Sequence, residues 1–106
     1  MLMNSEDNST PPCNAPVNDV APALQYGNLD DGDSIVITDG DWSGDAPINY
    51  TYQWLRDGVA VVGETTQAYI ITSADHDTEI SCRVTGTNDC GSASALSDSV
   101  LIPSAP

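Results

Sequence analysis

Lysine and phenylalanine are absent from this chain, and arginine occurs only at Arg56 and Arg83. Against those two cations stand sixteen Asp and Glu, for a formal net charge of −14. Phosphate backbones would be repelled and no basic patch offsets this, so a nucleic-acid partner is not expected. Anionic membrane surfaces are disfavoured for the same reason. No segment is long and apolar enough to cross a bilayer, so membrane insertion is not expected either. Met1 to Asp7 lack the basic and apolar regions of a secretion signal, and the glycosylation sequons at Asn8 and Asn49 therefore read as chance matches. A Gly-rich phosphate loop is missing, and no carboxylate pair stands out from the acidic background. The acidic excess favours solubility and a basic or polar partner surface. It is best tolerated in salty water, where screening relieves self-repulsion.

The 106 residues that are present fit one two-layer domain. Seven Pro and eight Gly, among scattered Thr, Val and Ile, favour many short strands over helices. With Phe missing, aromatic packing falls to Trp42, Trp54 and four Tyr. The most informative run is Tyr50 to Gly58, in which Tyr52 and Trp54 share one face of a strand that ends at Asp57-Gly58. A two-residue hairpin turn needs positive φ at both central positions, which Gly adopts freely and Asp tolerates. A buried Trp on such a strand is the core anchor of a small β-sandwich.

Around that strand the pattern divides the chain into a polar, Pro-containing arm (residues 1–16) and an antiparallel sandwich of about seven strands (residues 17–106). Residues 17–29 read as an edge strand broken by Pro22 and Gly27. Ser34 to Thr38 is a short strand with Ile35 and Ile37 inward, and residues 39–47 read as a long polar loop carrying Trp42. Val59 to Val62 is the return of the hairpin, and Ala68 to Thr72 a strand with Tyr69 and Ile71 on one face. Residues 73–78 form a corner. Glu79 to Asn88 alternates cleanly, with Ile80, Cys82 and Val84 inside and Ser81, Arg83 and Thr85 outside. Asn88-Asp-Cys-Gly is a turn, and Ser92 to Ile102 closes the sheet. The expected core is therefore Ile35, Ile37, Tyr52, Trp54, Ile80, Cys82 and Val84.

The ordered string Tyr52-Gln-Trp-Leu-Arg-Asp-Gly, Gly63-Glu-Thr-Thr-Gln-Ala-Tyr69, Thr72-Ser-Ala-Asp75, Ile80-Ser-Cys-Arg-Val-Thr-Gly-Thr-Asn88 and Gly91-Ser-Ala-Ser resembles bacterial and bacteriophage immunoglobulin-like domains. Asp39-Gly-Asp-Trp42-Ser-Gly is similar to that family's Gly-x-Trp segment. The resemblance covers roughly residues 17–100. It implies an immunoglobulin-like sandwich of the adhesive or decorative kind found on phage capsids, phage tails and bacterial surfaces, not an enzyme. Three departures stand out. Asp77 occupies the place of a Gly two residues after the corner Asp75, which requires a left-handed backbone. Ile80 replaces the Tyr of a tyrosine corner. No Cys on the second strand can reach Cys82, which is expected to be a buried free thiol beside Trp54.

In a sandwich of this connectivity Cys13 and Cys90 lie at the same end. A bridge between them is one reading, and two free thiols in a reducing cytoplasm the other. Three distant Cys and one His do not make a zinc site. Asp30, Asp31 and Asp33, and separately Asp39, Asp41 and Asp45, could offer oxygen ligands to calcium, but neither run matches an EF-hand and both read as ordinary turns. No cofactor or metal is expected. His76 lies near Ser73 between Asp75 and Asp77, yet neighbours on one corner cannot converge as a triad, and an exposed corner His is expected. Trp42 either caps the core, as the family likeness favours, or stands out as a contact with Tyr50, Asn88 and Asp89.

The chain begins at Met1, carries no secretion signal and ends just after the domain, as expected of a complete small gene product made in a host cytoplasm. The resulting expectation is a non-enzymatic phage virion protein, decorating the capsid surface, anchored by its arm to other virion proteins. The alternative is a tail- or cell-surface-associated adhesion module that binds host glycan or protein.

Overall fold

The computed structural model describes residues 13–104. Most of the arm assigned to residues 1–16 lies outside that range. The chain is all-β, with ten strands among the described residues. They are β1 (Val17–Val20), β2 (Leu24–Tyr26), β3 (Ser34–Ile37), β4 (Asp41–Ser43), β5 (Asn49–Arg56), β6 (Val59–Ala60), β7 (Ala68–Ile70), β8 (Glu79–Asn88), β9 (Gly91–Leu96) and β10 (Val100–Leu101).

β5 and β8 form the spine, antiparallel over eight paired positions from Asn49↔Thr87 to Arg56↔Ile80. β6 flanks β5, while β9 and then β10 run along the other edge of β8. A second sheet has the order β2-β3-β7. The inner faces of the two sheets share one core: Ile35, Ile37, Tyr69 and Ile71 from one side, Trp54, Ile80, Cys82, Val84, Val100 and Ile102 from the other. Trp54 is fully buried beside its cross-strand partner Cys82, and its indole N–H donates to the Thr66 carbonyl (2.7 Å). Pairing that polar edge is what lets the ring sit in an apolar interior. The turn after β5 has φ of 50° at Asp57 and 81° at Gly58, as the hairpin requires.

Several elements differ from the sequence expectation. The stretch 39–47 is not all loop. β4 forms inside it and pairs with β1 as a separate two-stranded ribbon. Glycines on either side of Trp42 permit this: a Cβ at Gly40 would overlap the Val20 carbonyl, and one at Gly44 would crowd the Ala15 carbonyl (2.9 Å). The break at Pro22 separates β1 from β2, which join different sheets. The return strand of the hairpin ends at Ala60, one further backbone bond runs from the Val61 amide to the Trp54 carbonyl (2.9 Å), and Val62 is left 95% exposed. The last strand is split at Ser97, with the pairing shifting by one residue between Arg83↔Leu96 and Ile80↔Val100. Ser97 fills the gap, its hydroxyl accepting from the Cys82 amide (3.0 Å). Ser81 does alternate away from the core but is buried, at the base of a cleft that residues 96–99 help to line. Tyr52 packs against the core rather than within it, held at the rim by its hydroxyl, which donates to Asp39 Oδ1 (2.5 Å).

Candidate functional site

One end of the molecule gathers most of the residues singled out from the sequence. Cys13 and Cys90 form a disulfide across a sequence separation of 77, with Cα atoms 5.6 Å apart. The turn between β8 and β9 places Cys90 there, shaped by Asn88, whose side-chain oxygen accepts from the Cys90 amide (2.8 Å). The other end of the same side chain donates to the carbonyls of Asn14 (2.9 Å) and Asp45 (3.0 Å). Asp45 and Asn14 are joined in turn by a backbone hydrogen bond (3.0 Å) and by the Asn14 amide donating to Asp45 Oδ2 (3.3 Å). Chain entry, the β4–β5 loop and the β8–β9 turn are thus fastened together covalently and by polar contacts. A shallow groove of about 530 Å³ runs beside the bridge, between Asn14 and Gly44.

Asp45 completes a group with Cys13 and Cys90 whose ligand atoms lie within 4.8 Å of one another. Sulfurs bonded to each other offer no thiolate to an ion, so in the bridged form Asp45 is the single anionic donor left in that group. The other acidic runs serve turns and side-chain contacts: Asp33 Oδ2 accepts from the Asp30 amide (2.9 Å), and Asp39 receives Tyr52.

Trp42 and Tyr50 lie near this end but are half-buried, not displayed. Their rings are 5.8 Å apart, the Trp42 indole N–H donates to the Asp39 carbonyl (2.7 Å), and the indole lies over Gly86. Asp89 stands exposed at the tip of the turn beside the half-buried Asn88.

The corner after β7 holds a network the sequence reading missed. Asp75 is fully buried. Its Oδ1 accepts from Arg56 Nε (2.7 Å) and the Tyr69 hydroxyl (2.7 Å), and its Oδ2 accepts from the Thr72 amide (2.9 Å). Burial alone would raise the Asp75 carboxyl, but those hydrogen bonds and the guanidinium charge outweigh it and hold the group below its ordinary value. Burial, reinforced by Asp75, pushes the Tyr69 hydroxyl up to about 12. Thr72 followed three residues later by Asp75 is the one local signal that could have revealed this arrangement. Asp77, two residues further on, takes φ of 66°, its amide bonded to the Ile102 carbonyl (2.9 Å) and its carboxylate receiving the Ser104 hydroxyl. His76 is not the exposed corner residue expected. It is half-buried, and its Nε2 meets Asp31 Oδ1 at 2.6 Å, away from Ser73. The turn at Asp30–Asp33 comes close enough to claim the ring, an approach that local spacing does not reveal.

Cys82 is a buried free thiol, raised by burial to about 11. No protein-family model, curated protein or solved structure matches this chain.

Proposed function

We propose that this protein is a non-enzymatic immunoglobulin-like module of a phage virion, a decoration protein held on the capsid surface by its N-terminal arm. Strand order supports the immunoglobulin-like part. β2, β3 and β7 share one sheet, and β5, β6, β8 and β9 the other, with the core Trp on β5. That division matches the A, B, E and C, F, G strands of immunoglobulin-type sandwiches. The motifs from Tyr52 to Ser94 support the phage assignment by resemblance.

The observation that carries the anchoring role is the fastening at Cys13. The arm enters the module at a covalent bridge reinforced by Asn14, Asp45 and Asn88. A tether needs such a joint, because tension on the arm must not peel the first strand away. Host cytoplasm is reducing, so the bridge would close once the particle is released. Adhesion to glycan through Trp42 and Tyr50 is less well supported, since both rings are committed to packing.

The test compares the full chain with a version lacking residues 1–12 but keeping Cys13. Loss of co-sedimentation with virions, at unchanged thermal midpoint, is the expected result. Retained attachment would defeat the anchoring role, and loss of cell binding instead of particle binding would favour the adhesion alternative.

A further inference from the structure

At the end of β8 opposite the bridge lies an open cleft of about 550 Å³. Its floor is Ser81, and its walls are the Asp57-Gly58 turn on one side and the Leu96–Ser99 bulge on the other. Ser81 is only 7% exposed, and its hydroxyl makes no hydrogen bond among the described residues. A hydroxyl held in place without a protein partner marks a position where an incoming donor or acceptor is welcome.

Three carboxylates line the same cleft. Asp57 spends one oxygen on the Glu79 amide (2.9 Å), and Glu79 spends one on the Ser99 hydroxyl (2.7 Å). Asp98 spends neither of its side-chain oxygens among the described residues. No cation lines the cleft. Arg56 is committed to Asp75, and Arg83, two positions along the same face of β8, forms no ion pair among the described residues.

The occupant follows from size and spacing. These carboxylates do not converge within chelating distance, so the cleft is not built for a bare metal ion. Its volume suits an organic group. A guanidinium presents five donors in a planar fork and can bridge separated carboxylates and a hydroxyl at once, where an ammonium is a point charge. Leu96, 54% exposed at the rim, offers an apolar surface for the aliphatic stem. We propose that this cleft binds an arginine side chain of a partner polypeptide. The surrounding charge of −14 would steer such a partner inward. Occupancy of the cleft is independent of where the arm attaches.

The probe is a blocked Gly-Arg-Gly peptide titrated into the oxidised full chain, followed by backbone amide shifts. Saturable shifts confined to Gly58, Ser81 and Leu96–Ser99 are expected, weakened at least tenfold when citrulline replaces arginine. Asp98→Asn should weaken binding severalfold, whereas Asp41→Asn, which removes the same charge elsewhere, should not. Linear shifts spread over the whole acidic surface would overturn the assignment. So would equal effects of the two Asn variants, or tighter saturation of the same amides by calcium ion or by a neutral sugar.

Discussion

A buried carboxylate is costly unless its oxygens are occupied, and Asp75 receives four donors from Arg56, Tyr69 and Thr72. Asp75→Asn keeps the shape but removes the charge that Arg56 faces. The expected loss is about 3 kcal/mol at neutral pH, the low end for a broken buried pair because Arg56 is 31% exposed. A urea midpoint reads this directly. The folded carboxyl titrates below its ordinary value, so its contribution is complete above the unfolded value near ~3.9 and vanishes as pH falls through the folded one. The gap between wild type and variant should therefore close in acid. Tyr69 works in the opposite direction: raised to about 12, it supports the fold fully below pH ~10 and loses that support as pH climbs. Little of this was legible beforehand. The corner motif marks Asp75, but nothing local reports that Arg56, nineteen residues earlier, turns toward it.

β5 and β8 were readable because each presents one face to a shared core, which writes a period of two into the chain. The ribbon of β1 and β4 was not, because Asp41 and Ser43 are exposed and alternate with nothing but Trp42. What makes that ribbon is a close backbone approach at Gly40 and Gly44, visible only in three dimensions. Gly86 plays the matching part beneath it, since a Cβ there would meet Trp42 Cε3 and Ile48 Cγ2, both at 3.2 Å. Gly86→Ala should cost about 1–3 kcal/mol by overpacking and red-shift part of the tryptophan emission as the Trp42 ring moves out. Unchanged emission would mean the ribbon is not seated as described. The bridge belongs to this scale as well. Paired Cys13→Ser and Cys90→Ser changes should lower stability by roughly 4 kcal/mol, as expected for so long a closed loop. Thiol titration gives the complementary reading: one reactive thiol, Cys82, in unfolded unreduced chain, three after reduction, and none in the native state.

For the molecule as a whole, the charge of −14 opposes compaction at every pH where the carboxylates are ionised. Raising salt from 0.01 M to 0.15 M shortens the screening length from about 30 Å to about 8 Å, so the thermal midpoint should rise over that range and then level off. A falling midpoint would show that attractive ion pairs outweigh repulsion. The all-β antiparallel plan was legible from period and turns; the cleft was not, because it is assembled from three separate segments and its buried floor depends on a one-residue slip near Ser97. The Cys13 joint also has a mechanical consequence. Pull on residues 1–12, and tension passes through the sulfur bridge into the β8–β9 turn without loading β1. In a single-molecule stretching experiment the oxidised module should yield at higher force than the reduced one, whose first ribbon would unzip from its end.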